Sequence, residues 1–388
     1  MTGRPTVAEV DLVAIRDNAE TVRGRLGPGV RLVAVVKADG YGHGAGPVAR
    51  AALAGGAEAL SVALAEEGAS LRAQGIDAPI LVMGPTLGAQ AAIALQAGLE
   101  TTIYDSVSAR LLAEAAEREG VRAPVLLKVD TGMGRIGVAH DGGVLDMALD
   151  LVRQPSLHLV GLMTHLASAD AADPQSALRQ WARFLDVVDA LRRAGIEVPF
   201  VHGANSAAAL RWPGMQGSQV RVGIALYGIA PDPVSVQLKP ALSLRSAVAQ
   251  VKRVGPGFPV GYGETFVSED EAVLATVPVG YADGYRRAFS NRGRALVGGA
   301  WARVAGRVSM DQTVFALPGT ASVAVGDPVV LMGAVGAEAV SALDWAGWAD
   351  TIPYEVLCGI GPRVPRVYRI REEGRPAASV DADFLASL

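Results

Sequence analysis

From Leu32 to Ile224 the chain alternates between short, unbroken apolar runs and longer stretches whose apolar residues recur three and four apart. The runs are Leu32–Val36, Ala59–Ala63, Ile80–Met83, Thr101–Tyr104, Val125–Val129, Leu157–Thr164, Phe200–His202 and Val220–Ile224. Runs of this length without polar alternation suit strands buried on both faces, as parallel strands covered by helices are. The helices between them are punctuated. One begins at Asp105–Ser106 and stops at Gly120. Another takes Asp173 as its cap and Pro174 as its first residue, turns Leu178, Trp181, Leu185, Val188 and Leu191 inward, and stops at Gly195. Before the first run, Asp11 reads as the N-cap of a helix with Leu12, Ile15, Ala19, Val22 and Leu26 on one face. This alternation predicts an α/β fold, a parallel (β/α)8 barrel over residues 1–239. An open doubly wound sheet is the alternative, but the first strand–helix junction lacks the spaced glycines of a dinucleotide site.

Near Pro240 the pattern changes. Leu242–Val254, Ala272–Val279, Arg294–Val308 and Val323–Met332 read as strands without long helices between them. Turn clusters at Gly255–Gly257, Asn291–Gly293 and Gly326–Pro328 separate them. A short helix is predicted over Ser341–Asp350 and a surface tail from Glu372. Residues 240–388 are thus predicted to form a mostly β domain.

Composition narrows the classes. The chain has 388 residues, half of them apolar and 19% charged, which supports a large core and excludes global disorder. A net charge of −4 with no basic block argues against a nucleic-acid surface. No apolar run reaches the roughly 18 residues that span a bilayer. The start, MTGRPTVAEVDL, lacks a signal-peptide apolar segment. The single cysteine, Cys358, forms no intrachain disulfide, and no Cys/His spacing suggests a metal. A cytoplasmic protein without a metal is the expectation.

A barrel places its chemistry at the C-terminal ends of its strands. Lys37 ends the first predicted strand within AVVKADGYGHGAG, Lys128 lies in the fifth and is followed by VDTGMGRIG with Arg135, and His165 ends the sixth. Asn205 and Ser206 follow the seventh in HGANSAAA, and Arg221, Gly223 and Ile224 fall at the eighth. Each has an ordinary reading when taken singly. A strand-ending lysine snorkels, HGANSAAALR is a capped helix start, a histidine sits satisfied in a core, and an arginine pairs with an acid. Their placement on one rim favours a site. An apolar pocket there favours a neutral lysine amine able to form a Schiff base with an aldehyde. The small-residue helix start offers N–H donors to a phosphate. The second region adds VGYGETF with Tyr262 between two glycines, VGYADGYRR with Tyr281, Asp283 and Arg287, and GRVSMDQT with Arg307, Met310 and Asp311.

The Lys37 segment, with Gly40 where alanine is usual, resembles the cofactor-attachment motif of alanine racemases. The other motifs recur in that family's order from about Val7 to Arg366. The resemblance implies a pyridoxal 5′-phosphate enzyme that interconverts L- and D-alanine, supplies D-alanine for peptidoglycan, and works as a homodimer with composite active sites. It implies that Lys37 holds the cofactor and serves the face from which the D-enantiomer loses its proton, while Tyr262 of the partner subunit serves the L-face. Tyr262 would bond to His165, His165 to Arg221, and Arg221 to the cofactor's ring nitrogen. Arg135 would contact the cofactor and the substrate carboxylate, helped by Met310 of the partner subunit. Tyr41, Asn205, Ser206, Gly223 and Ile224 match cofactor-binding positions, the phosphate ligands among them, and Lys128 matches a position that is carbamylated in several members. Asp170, Tyr281, Arg287, Arg307 and Asp311 match a substrate corridor. Pro362 stands where some members carry a phosphate-contacting tyrosine, which leaves that role unfilled here.

Three other readings stay open at this level. A broader-specificity amino-acid racemase shares the motifs, but those known to us carry signal peptides and disulfides. A non-catalytic pyridoxal-phosphate carrier shares the barrel but lacks a β-rich second domain. A decarboxylase or other lyase on a related barrel usually holds the ring nitrogen with an acid, whereas Arg221 is a base.

Overall fold

The first barrel strand, Arg31–Val35, is buried at every residue but its first, because helices cover the outside and the barrel interior covers the other face. In the computed structural model, which describes residues 3–370 and 378–379, it begins an eight-stranded parallel array. The order continues through Ala59–Val62, Ile80–Val82, Glu100–Ile103, Ala123–Asp130, Leu157–Met163 and Phe200–His202 to Gln219–Val222, which pairs back with the first strand. Backbone bonds from Ser218 N–H to the Val201 carbonyl (2.8 Å) and from Arg221 N–H to Ala204 (3.0 Å) close the ring. Leu81, Leu126, Val160 and Met163 form one layer of its core, joined by Met83 and Phe200. The eight apolar runs are these eight strands, shifted only at their ends.

Local signals fixed several helices. Asp105 caps Ser106–Glu119 by accepting from Ser108 N–H at 2.6 Å, and Gly120 ends it in a left-handed conformation. The helix Gln175–Arg193 starts one residue later than predicted, with Asp173 accepting from Gln175 N–H at 3.0 Å. Its inward face also needs correction. Trp181, Phe184, Val188 and Leu191 are buried, but Leu178 and Leu185 are each 42% exposed. Each follows a buried position, Ala177 or Phe184, by one residue, which is about 100° of helical rotation.

The other unit is built mainly from Pro240 onward. Its sheet runs in the order Gln250–Val254, Ala272–Val277, Thr313–Pro318, Ala300–Val304, Arg294–Val297, Pro328–Val335, Leu242–Ala247, Val7–Asp11, Arg366–Ile370, Ala378–Ser379. The N-terminal strand Val7–Asp11 therefore does not join the barrel: it runs antiparallel to Leu242–Ala247 and parallel to Arg366–Ile370. Asp11 is its last residue, and the following helix spans Leu12–Arg23. The predicted long strands 242–254 and 294–308 are each broken in two, the second as a hairpin with Gly298 and Gly299 at left-handed angles. Tyr285, Phe289, Phe315 and Trp345 form an edge-stacked aromatic core with ring centroids 4.9 to 6.0 Å apart. The helix predicted over Ser341–Asp350 spans Ala342–Ala349 with Ser341 as its N-cap, and a second helix, Pro353–Cys358, was not foreseen. The predicted tail from Glu372 lies outside the described residues, apart from Ala378 and Ser379, which extend the sheet.

Tyr41–Gly44 also groups with this unit. The Gly42 carbonyl accepts from Arg366 Nε at 2.9 Å. A Cβ on Gly42 would meet the Leu357 carbonyl at 2.5 Å, and one on Gly44 would meet the Tyr368 hydroxyl at 1.9 Å. Only glycine fits such approaches.

Candidate active site

Directly after the first barrel strand and Val36, Lys37 opens a turn of left-handed backbone. Ala38, Asp39, Gly40 and Tyr41 all have φ between 51° and 61°. For residues with a Cβ this costs about 1–2 kcal/mol each. Glycine adopts such angles freely, but Ala38, Asp39 and Tyr41 do not. Side chains from elsewhere hold the others in place. Glu67 accepts from Ala38 N–H at 2.6 Å with one oxygen and from Ala63 and Leu64 N–H with the other. Asp39 accepts from Ala45 N–H at 2.8 Å, and Gly40 N–H reaches the Val36 carbonyl at 2.9 Å. Glu67 was not singled out from the sequence, and no local signal marks it.

Arg221 is the centre of the rim. It is 3% exposed and lies on the last barrel strand. Nη1 donates to His202 Nδ1 (2.9 Å) and to the His202 carbonyl (3.1 Å). Nη2 donates to the Thr164 carbonyl (2.8 Å) and lies 3.3 Å from His165 Nδ1. A guanidinium cannot accept, so both histidines must take its hydrogens at Nδ1 and carry their own on Nε2. Burial, followed by the charges of Arg221, Lys128, Arg135 and Lys37, lowers the His165 pKa to about 3. Burial and Arg221 hold His202 well below its ordinary range. Both are neutral at physiological pH. His202, inside HGANS, was not singled out from the sequence, although it ends a predicted strand as Lys37 and His165 do.

The loops that carry Arg135 and His165 are tied together. Burial would raise the Asp130 pKa, but backbone N–H groups of Gly132, Gly134 and Met133 outweigh it and lower the value, shaping the turn before Arg135. Thr131 and Thr164 share a hydroxyl bond of 2.8 Å. Gln180, 3% exposed, donates to the His165 carbonyl (3.1 Å) and accepts from Ala167 N–H (2.8 Å). Lys128 is 4% exposed, and burial, then Arg221 and Arg135, lower its pKa to about 7. Asp170 lies in the next loop, whose carbonyls at Ala169 and Ala171 accept from Arg211.

At the helix Ser206–Arg211, the Asn205 side chain is the cap, accepting from Ala208 N–H at 3.1 Å. Ser206 Oγ accepts from Gly223 N–H at 3.0 Å, so that N–H is already engaged. The Ser206 hydroxyl proton has no acceptor among the described residues.

The residues predicted from the second region occupy the second unit. Tyr262 is 71% exposed between Gly261 (φ 74°) and Gly263 (φ 70°), the tight loop expected of it. The Arg307 guanidinium lies 3.0 Å from where a Cβ on Gly263 would be. Tyr281 N–H donates to the Ser309 carbonyl (3.0 Å), placing Tyr281 beside the Met310 segment. Asp311 pairs with Arg363 at 2.7 Å. Arg287 opens the turn Arg287–Phe289. Tyr41 is buried, 6.0 Å from the Tyr354 ring, and burial pushes its phenol pKa up.

The barrel rim thus gathers Lys37, Lys128, Arg135 and Arg221 around two neutral histidines, a setting for an anionic ligand. Arg221 Nε is buried and has no acceptor among the described residues, so the rim holds one donor that a ring nitrogen or similar acceptor would satisfy. The rim residues therefore fit pyridoxal phosphate. Among the described residues no helix is long and apolar enough to cross a membrane, and no cluster of metal-binding side chains occurs.

Comparison with known proteins agrees with both units. The family model described as alanine racemase, N-terminal domain, matches residues 10–231, and that described as alanine racemase, C-terminal domain, matches residues 241–368. An alanine racemase of Symbiobacterium thermophilum is 44% identical over 94% of this chain and 97% of its own. One from Halothermothrix orenii is 42% identical with the same coverage. The solved alanine racemase of Clostridium difficile superposes with a TM-score of 0.92 at 34% identity, covering 98% of this chain and 99% of that one. From barrel rim to β domain, this chain belongs to the alanine racemase family.

Proposed function

We propose that this chain interconverts L- and D-alanine, with pyridoxal 5′-phosphate held at the barrel rim. The carrying observation is Arg221: it fixes two histidine tautomers while its buried Nε lacks an acceptor. Lys37 would attach the cofactor, Arg221 Nε would meet its ring nitrogen, and Ser206, Ile224 and Tyr41 would meet its phosphate. Asn205 would act through the helix start it caps and Gly223 through its bond to Ser206. Once bound, the cofactor draws electrons from the α-carbon so that its hydrogen becomes acidic enough to remove.

Everything else falls to protein groups. The Lys37 amine takes and returns the proton on one face of the α-carbon. Tyr262 of the partner subunit does so on the other. A phenol ionises near pH 10, so it needs help to act as a base. His165 can give that help in one way only. With Nδ1 turned to Arg221, it presents Nε2–H, and a tyrosine oxygen meeting it must accept, which favours the phenolate. Arg135, with the backbone at Met310 of the partner subunit, would receive the substrate carboxylate. Lys128 is half-neutral near pH 7, and its neutral amine would add to carbon dioxide and release one N–H proton to solvent, leaving a carbamate that pairs with Arg135.

The same reading makes the protein a homodimer. Tyr262, Met310, Val267, Tyr281 and Phe258 are 41–71% exposed in the second unit. Large apolar and aromatic residues left this exposed suit a surface that another chain covers. Asp170, Tyr281, Arg287, Arg307 and Asp311 would line the substrate's path. The sole cysteine, Cys358, presents an exposed thiol, which suits the reducing cytoplasm. The product there would feed peptidoglycan synthesis.

The test is direct. Purified protein supplied with pyridoxal phosphate and one enantiomer of alanine is followed by polarimetry. Loss of rotation to the racemic endpoint from either side is the expected result. No change with alanine, but change with serine or a basic amino acid, would favour the broader-specificity reading.

A further inference from the structure

Asp283 carries a side chain with no solvent exposure, and three groups converge on it. Arg4 approaches end-on, Nη1 to Oδ1 and Nη2 to Oδ2, both at 2.7 Å. Arg363 Nε lies 2.9 Å from Oδ1, and Gly280 N–H donates to Oδ2 at 3.0 Å. Arg363 reaches on to Asp311 at 2.7 Å, and Arg4 also donates to the Pro278 carbonyl at 3.0 Å. Burial would raise the Asp283 pKa, but the Arg4 bonds and the Gly280 N–H outweigh it and lower the value. The carboxylate is therefore a fixed anion at working pH.

What it fixes are two loops. The turn Gly280–Asp283 is pressed onto the segment Ser309–Met310: a Cβ on Gly280 would lie 2.3 Å from both carbonyls. Tyr281 N–H donates to the Ser309 carbonyl (3.0 Å), and Ala282 N–H donates to that of Met310 (3.1 Å). The backbone position of Met310 thus depends on the turn, and the turn depends on Asp283. Neither arginine is near these loops in sequence, and Arg4 comes from the opposite end of the chain.

We infer that Arg4 and Asp283 are positioning residues for substrate binding: through the turn at Tyr281 they set where the Met310 backbone receives the carboxylate end of an amino acid. The inference rests on the proposed function, in which Met310 contacts that carboxylate. It makes Arg4, 279 residues from Asp283 in the chain, a determinant of substrate affinity. A bidentate arginine cannot be replaced there by lysine, whose ammonium is a point charge.

The experiment measures KM and kcat in both directions for wild type, Arg4→Ala and Arg4→Lys, with the inhibition constant of propionate, a carboxylate without the amine. In Arg4→Ala, KM for both enantiomers and the propionate constant are expected to rise together by roughly tenfold, with kcat within about twofold. Arg4→Lys should recover only part of that loss. Hydrogen exchange at the Tyr281 and Ala282 amides should quicken in the same order. An Arg4→Ala protein with lowered melting temperature but unchanged KM and propionate constant would overturn the inference and leave Arg4 a plain tether. So would a fall in kcat at constant KM. A wild type that racemises nothing would instead overturn the proposed function, and this inference with it.

Discussion

Arg221 Nη2 stands 3.3 Å from His165 Nδ1, and this single contact decides which nitrogen of His165 carries its proton. The guanidinium cannot accept, so Nε2 must be the donor. Burial and four nearby cationic side chains keep the ring neutral, with a pKa of about 3. A lysine at position 221 would lose the fork and leave the tautomer unspecified. Arg221→Lys is expected to lower kcat/KM for both enantiomers by about 100-fold. The two directions must fall equally, because the equilibrium constant of a racemisation is one. The kcat/KM profile of the wild type should show no inflection assignable to His165 across roughly pH 5 to 9, and its appearance in the variant would show that the tautomer lock has been released.

Lys128 makes stability depend on pH with a definite sign. Its folded pKa, about 7, lies below the unfolded value of 10.5 because burial disfavours the ammonium. Between these values the unfolded chain binds more protons, so this group's contribution to stability rises with pH across that window. It is lost as pH falls from 10.5 to 7, and below 7 the penalty is constant. Lys128→Met should therefore stabilise the protein more at about pH 6 than at about pH 9, by at least about 1 kcal/mol. Urea titrations under carbon-dioxide-free conditions check this. Added bicarbonate should then stabilise wild type and leave Lys128→Met unchanged, with a carbamate carbon signal in NMR of the wild type alone.

Gly42 and Gly75 share almost the same backbone angle, φ 78° and 77°, but not the same surroundings. Nothing lies within 4 Å of a Cβ on Gly75, whereas the Leu357 carbonyl would be 2.5 Å from one on Gly42. Gly75→Ala is expected to cost about 1 kcal/mol, the strain of a left-handed alanine. Gly42→Ala should cost about 2–4 kcal/mol, because backbone must also move. Equal losses in chemical denaturation would show that the close approach contributes nothing.

Tyr262→Phe separates the two faces of the substrate. Interconversion should fall by about 10²–10⁴ in both directions, since one of the two proton carriers is gone. In heavy water, D-alanine should still exchange its α-hydrogen through Lys37, while L-alanine should not. Equal exchange from both enantiomers would mean that Lys37 serves both faces and Tyr262 neither.

Much of this protein was determined by sequence alone, for a local reason. A strand buried on both faces must be continuously apolar, and a helix must announce its ends, so the eight runs and the helix starts near Asp105 and Ser341 were legible without tertiary information. Which charged side chains come together around His165 was legible too, since a parallel barrel brings all its strand ends to one rim. Tertiary structure decided what depends on distant partners. Val7–Asp11 joins the second sheet because its hydrogen-bonding edges find Leu242–Ala247 and Arg366–Ile370, more than 200 residues away. The left-handed turn after Lys37 persists in residues that disfavour it because Glu67, from another helix, binds its first N–H. His202 became part of the Arg221 cluster because the guanidinium reaches back to it, and Leu178 fell outside the core because it sits about 100° around the helix from buried Ala177, placements that no residue type encodes. Propensity acts on neighbours in the chain; hydrogen bonds and close contacts act on neighbours in space, and only folding brings those together.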